Sequence, residues 1–265
     1  MGAQLAGLAV KMERNLTEHA SYLHRGMPGM TVQQKPDLLI ADSGLNDDTF
    51  NFVGSATFTS AAAADRITET MCELAPTARP FAWRVGPASA PANLTALLTA
   101  AGLPATAVEP AMWSRVGQFP SVRSAADLEI VMVRTAAELS AWSWVLAANW
   151  SPPAPTVVAF YAATASRALA PDCPARYLIG LSEGRPVCAA EVFLHGGVAG
   201  LYNISTVASQ QRRGFGTAIT AAAMASARDV GAQLVVLQAS EQGEPIYRRL
   251  GFRVFGHVSE HAFML

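Results

Sequence analysis

Cysteine is scarce in this chain and carries no pattern: Cys72, Cys173 and Cys188 stand far apart, an odd number with no Cys-x-x-Cys and no neighbouring histidine pair. That usage argues against a disulfide framework and against a zinc-ligand set, so no metal is expected, and it fits a reducing, cytoplasmic setting. Charge of either sign is also sparse. Asp, Glu, Lys and Arg make up 15% of the residues, 19 basic against 20 acidic, for a net charge of −1. Such a balance gives no global field to recruit nucleic acid or an acidic membrane, so neither is expected as a partner. No stretch reaches the roughly 18 uninterrupted apolar residues that span a bilayer. The apolar start, Met1 to Val10, lacks a basic region before it and a small-residue cleavage pattern behind it, and reads as the opening of an amphipathic helix. What the chain does have is apolar mass. At 51% of 265 residues it can build sizeable cores, and the length suits two domains.

Periodicity supplies the organisation. Leu5, Leu8, Met12, Leu16 and His19–Ala20 recur at helical spacing before Gly26 and the Pro28-Gly29 turn. Asp37 to Ala41 and Phe50 to Phe58 read as strands, Ala61 to Ala75 as helix, Pro80 to Val85 as strand, and Leu94, Leu97 and Leu98 as a helix closed by Gly102. Between Trp113 and Asp127 the pattern lapses while Gly117, Pro120 and Ser124 accumulate, which places a linker there and divides the chain into domains 1–122 and 127–265. Beyond it a second mixed series begins with Leu128 to Val133, Thr135 caps a helix through Leu139, Trp142 and Leu146, and a second helix starts near Thr156 and runs through Ala165. Tyr177–Leu181, Val187–Leu194 and Val198–Val207 form an antiparallel meander with turns at Glu183-Gly184 and Gly196-Gly197. Ala218–Ala227 is helix, Leu234–Ala239 a buried strand, Pro245 starts a short helix that Gly251 stops, and Val254–Val258 with Ala262–Leu265 supply the closing strand or strands. The whole is an α/β (α+β) protein with mixed sheet in both halves.

One motif carries chemistry. Gln211-Arg212-Arg213-Gly214-Phe215-Gly216-Thr217 lies between an apolar strand and an alanine-rich helix. Its glycines put no side chain in the way of a ligand, and the first amides of the helix lack intrahelical acceptors, so loop and helix dipole together suit a diphosphate. The densest basic pairs, Arg212-Arg213 and Arg248-Arg249, fall in the same region.

This loop, the order of elements around it and the segment Pro245-Ile-Tyr-Arg-Arg-Leu-Gly-Phe252 resemble the GNAT superfamily of N-acetyltransferases. The first half, with Arg79-Pro-Phe-Ala-Trp-Arg-Val-Gly-Pro87 and no glycine loop, resembles the degenerate amino-terminal half of tandem members. The resemblance implies acetyl-CoA as donor, its diphosphate on Arg212–Thr217 beside Gln211 and its pantetheine arm on the strand edge at Thr206, Val207 and Ala208. That edge is bared where Val198–Val207 and Leu234–Ala239 part. It also implies that Tyr247 stands beside the sulfur as general acid, a role that a free phenol pKa of about 10 suits.

The base is less legible. A two-residue hairpin at Gly196-Gly197 sets position 191 opposite 202, so Glu191 and Tyr202 share a face with Phe193, Gly200 and Ile204. The family's usual carboxylate falls at Gly200, a departure that leaves Glu191 as substitute. Ser240, Glu241 and Glu244 at a strand end are further candidates or helix caps, and His195 reads as a surface residue. Trp142, Trp144, Trp150 and Tyr161 lie in the region that covers the acceptor in the family, with Trp150, Tyr202 and Glu191 the expected acceptor contacts. The expected activity is acetyl transfer to the amine of a small molecule, such as a secondary-metabolite intermediate, an amino acid derivative or an antibiotic. The alternatives are a non-catalytic acyl-CoA-binding sensor or scaffold, or a transferase using another acyl donor. Alanine-rich faces in both halves suit a homodimer.

Overall fold

The computed structural model describes residues 2–120, 125 and 127–265. The chain forms two compact units, Met1–Ala111 with Val254–Leu265 and Met112–Arg253. The expected domain end at 122 lies outside the described residues. The closing strand, expected within the second half, instead belongs almost wholly to the first unit.

The first unit opens with α1 (Gly2–Tyr22). It continues through β1 (Thr31–Gln34), β2 (Leu39–Asp42), β3 (Phe52–Gly54), α2 (Ala63–Leu74), β4 (Pro80–Val85) and α3 (Leu94–Ala100). Next comes β5 (Ala107–Arg115), whose last four residues count with the second unit. In the second unit follow β6 (Glu129–Met132), α4 (Ala136–Ala147), α5 (Pro155–Ala163), α6 (Ala165–Ala168), β7 (Ala175–Ser182), β8 (Arg185–His195) and β9 (Val198–Thr206). A short 3₁₀ turn, Ala208–Gln210, precedes α7 (Phe215–Asp229), β10 (Leu234–Gln238) and α8 (Glu244–Arg249). The chain ends in β11 (Arg253–Met264), one long strand that joins the two closing segments.

In the first unit the strands run β1-β2-β3-β4-β11. Cross-strand pairs hold β11 there. Phe81 lies opposite Phe263 and stacks on it at 6.2 Å, and Arg84 lies opposite Glu260 and bonds it at 2.9 Å. Trp83, Ile67, Leu94 and Leu98 fill the core, with Phe58 edge-on to Trp83 at 6.3 Å. β3 and β4 run parallel, and the chain beyond them stays joined. Thr57 bridges Ala90, the Ala90 amide donates to Ala56, and the Phe58 amide donates to Ala90.

Three departures from the expected elements have physical causes. β1 is a mostly exposed edge strand of sequence Thr-Val-Gln-Gln, too polar to show alternation. The run Phe50–Phe58 yields only three strand residues, because Ser55 turns out of the extended region at φ 52°. Trp113 to Arg115, expected as linker, complete β5, with Ala111, Met112 and Ser114 buried.

In the second unit the order is β10-β9-β8-β7-β6, antiparallel except for β10 on β9. Helices cover both faces. The hydroxyl of Ser205 donates to Asn149 Oδ1 at 2.9 Å on the α4 side, while a β-carbon on Gly216 of α7 would sit 3.5 Å from Thr206 Oγ1. Neighbouring strand residues point to opposite faces, so α4 and α7 sandwich the sheet. The expected continuous helix through Ala165 breaks at Thr164, whose hydroxyl returns to the Phe160 carbonyl at 2.8 Å.

α4 begins with a full capping box: Thr135 Oγ1 accepts from the Glu138 amide at 3.2 Å, and the Glu138 carboxylate accepts from the Thr135 amide at 2.9 Å. Thr135→Ala is expected to cost about 1 kcal/mol of stability, seen as a lower urea midpoint at unchanged slope.

Candidate functional site

The site is assembled around a short parallel pairing. β10 meets β9 only at Val235 with Ala199 and Val236 with Gly200, while β9 runs on to Thr206 and β10 to Gln238. Beyond Gly200 the two strands part, as the resemblance implied. On the other edge β9 stays paired with β8, from His195 with Val198 to Cys188 with Thr206. The amide of Val207 donates to the Val187 carbonyl at 3.0 Å, so Val207 offers no free amide to a ligand, against the expected role for it. The backbone of Thr206 faces the parting instead, and its carbonyl accepts from the Gln211 side chain at 3.3 Å. Ala208 opens the 3₁₀ turn.

The loop that follows is shaped by two left-handed residues, Arg212 at φ 66° and Gly214 at φ 85°. Alternation of this kind turns successive amides to one side and forms an anion-binding nest. Gly214 is the N-cap of α7 and makes no side-chain cap. Among the described residues the amides of Arg212 to Thr217 meet no acceptor; the first helical bond is from Ala218 to the Gly214 carbonyl at 3.0 Å. The contrast with the fully capped α4 is informative, since such a row of bare amides at a dipole's positive end fits a diphosphate. A β-carbon on Gly214 would meet nothing within 4 Å, so the need for glycine there is conformational. Gly216 faces Thr206 and Ile246 rather than open space. The Arg213 guanidinium lies 4.6 Å from the Phe215 ring centre, bonds Gln210 and sits 3.7 Å from Asp127. Arg212 is exposed and has no ion-pair partner among the described residues.

Tyr247 is buried on α8, with its ring 5.9 Å from that of Phe252. Gly243 makes room for it: a β-carbon there would fall 2.8 Å from Tyr247 Cε2 and 3.2 Å from Ser240 Oγ. Ser240 is engaged as a cap, its hydroxyl and carbonyl both accepting from the Gly243 amide, at 3.2 and 3.0 Å. Glu244 is held by Arg248 at 2.7 Å, and Glu241 is exposed. The structure thus brings Tyr247, Ser240 and Gly243 together, and sets Ile246 next to the start of α7.

Across the sheet, on the α4 side, lies a buried polar group. Glu191, 2% exposed, pairs in register with Tyr202 as expected, and Asn203 Nδ2 donates to Glu191 Oε2 at 2.7 Å and to the Tyr161 hydroxyl at 3.1 Å. Burial, then the neighbouring Glu191 charge, push the Tyr161 phenol well above its ordinary range. Trp142 is core: fully buried, it donates to the Ala190 carbonyl at 3.1 Å and meets Tyr161 and Tyr177 edge-on, each at 4.9 Å. Trp144 and Trp150 are exposed, with Trp150 just before the cis Ser151-Pro152 bond. Gly243 and Asn203 escaped the sequence reading. A glycine just before a helix was a usable signal for the first; nothing in a strand pattern announces the second.

Residues 192–255 match the family model for the Acetyltransferase (GNAT) domain. That span takes in the parted strands, the glycine loop and Tyr247. Over that segment the chain is similar to GNAT acetyltransferases. Solved structures with the same fold include a GCN5-related N-acetyltransferase from Kribbella flavida, at TM-score 0.73 and 17% identity over 96% of this chain and 93% of that one. Another is a GCN5-related N-acetyltransferase from Sphaerobacter thermophilus, at 0.61 and 13% over 100% and 93%. A third is a tandem GNAT protein from the clavulanic acid biosynthesis pathway, at 0.60 and 12% over 98% and 94%. These likenesses span both halves of the chain, so the shared fold extends beyond the matched motif. No curated protein sequence matches the chain. Among the described residues no cluster of side chains suits a metal, and no helix is long and apolar enough to cross a membrane.

The backbone of the glycine loop makes its own prediction. Gly214→Ala places a β-carbon at a left-handed residue and is expected to cost about 1 kcal/mol, whereas Arg212→Gly relieves the same strain and stabilises by a similar amount. Paired urea titrations check both signs.

Proposed function

We propose that the chain is an acetyl-CoA-dependent N-acetyltransferase acting on the amine of a small molecule, with its active site in the second unit. The observation that carries this reading is the row of acceptor-free amides at the start of α7, set beside two parallel strands that part. Amides 212–217 hold the donor's diphosphate, and Arg212 is placed to add charge. The bared edge of β9 at Thr206 pairs with the amide-bearing arm. Attack of the amine nitrogen on the thioester carbonyl forms the N–C bond and breaks the C–S bond, and the Tyr247 hydroxyl supplies the proton to the departing sulfur. Glu191 takes the proton that the amine loses, directly or through water. This reading puts a single site in the second unit. In the first, the bridge from Thr57 to Ala90 closes the gap that β9 and β10 leave open, and no glycine loop precedes α2.

Titration calorimetry with acetyl-CoA is expected to give one equivalent per chain, and Gly214→Val to weaken binding at least about tenfold. With a panel of primary amines, thiol release should appear with wild type, and Tyr247→Phe should lower kcat about a hundredfold while coenzyme affinity stays within about twofold. Binding of acetyl-CoA without thiol release for any amine would favour the rival reading, a coenzyme-binding scaffold, which Gly200 in place of the family's carboxylate suggests.

A further inference from the structure

Asn203 is the residue of β9 held at positive φ, 52°. It sits where the register between β8 and β9 slips: Ala189 faces Ser205 but Glu191 faces Tyr202, so Asn203 and Ile204 together oppose Ala190. Bulges of this kind re-aim a side chain, and asparagine takes the left-handed conformation more readily than most residues. The re-aimed amide reaches Glu191 and Tyr161 at 2.7 and 3.1 Å. Both contacts are made by the amide nitrogen, which has two hydrogens to donate. Both hydrogens of that nitrogen are then taken, one by Glu191 and one by Tyr161. The carbonyl oxygen of Asn203 receives no hydrogen bond from any described residue. Asn203 is half-buried whereas Glu191 and Tyr161 are buried, which makes it the accessible end of the cluster. It also lies on the part of β9 that has left β10.

From this we infer that Asn203 is the specificity-determining contact for the acceptor: its Oδ1 accepts an N–H of a primary or secondary amine, with Glu191 and Tyr161 locking the amide in the orientation that presents oxygen. The inference rests on the functional reading above and adds the residue that selects the acceptor. A tertiary amine, or a group that only accepts hydrogen bonds, finds no partner there. Titratable groups near Glu191 come from several elements. Tyr161 comes from α5, Tyr177 and Tyr202 from the flanking strands, and Cys173, with Arg167 near it, has its thiol pushed up mainly by burial.

Two variants keep the left-handed backbone, so neither strains the bulge. Asn203→Gly removes the amide; Asn203→Asp keeps its shape and sets a second carboxylate against Glu191. With acetyl-CoA and the primary amine that wild type uses best, Asn203→Gly is expected to raise the amine KM about tenfold and leave the acetyl-CoA KM within about twofold. Asn203→Asp is expected to move the acid limb of kcat/KM to higher pH, because two facing carboxylates retain a shared proton. An unchanged amine KM in both variants overturns the assignment. So does a loss that falls equally on both substrates with a lowered melting temperature and an unmoved pH limb, which is the mark of a purely structural residue. Wild type that binds acetyl-CoA yet releases no thiol with any primary amine overturns the functional reading, and this inference with it.

Discussion

The second unit depends on a parallel strand pair that lasts for two residues. Val235 and Val236 are buried completely, which anchors β10 against Ala199 and Gly200. After that the chain gives up further ladder bonds between the two strands, a cost that a folded protein sustains only where the groups find other partners. On the β8 side the pairing of β9 resumes after the bulge and reaches Thr206, so the strand is held in place to present its other edge. The glycine loop, the uncapped start of α7 and the short helix carrying Tyr247 all converge on that opening. Gly216 packs on Thr206 and Ile246, tying the three segments to one another.

The two faces of the sheet divide the labour. On the α7 side, backbone amides present partial positive charge that no side chain offsets. On the α4 side, aromatic rings enclose a carboxylate, and a bulge turns an amide toward it. Trp142, buried completely, seals the floor by donating to the Ala190 carbonyl opposite the bulge. A buried carboxylate is tolerated because it has polar neighbours of its own.

Much of this was legible in the sequence where local chemistry decides local shape. The Thr135 cap, the Gly196-Gly197 hairpin with both glycines at positive φ, the strand Pro80–Val85 and the opposition of Glu191 to Tyr202 follow from cap, turn and period-two rules. The glycine loop was legible for the same reason. What was not legible depends on distant partners. β1 is polar and gains its place by pairing with β2, β5 contains residues that look like a linker, and Asn203 differs from any other strand residue only through a register slip. Gly243 matters because an aromatic ring four residues later folds back over it.

The residence of 254–265 in the first unit has a bearing on biosynthesis. Strand β4 finds its antiparallel neighbour only in residues made some 170 positions later, since Val85 faces Ser259. Domains generally fold as they emerge from the ribosome, amino-terminal first. Here the order is inverted: residues 112–253 are all available to fold while the amino-terminal sheet still has an open edge at β4, along which Phe81 and Arg84 wait for Phe263 and Glu260. Anything that removes β11 therefore strikes first at the unit that opens the chain.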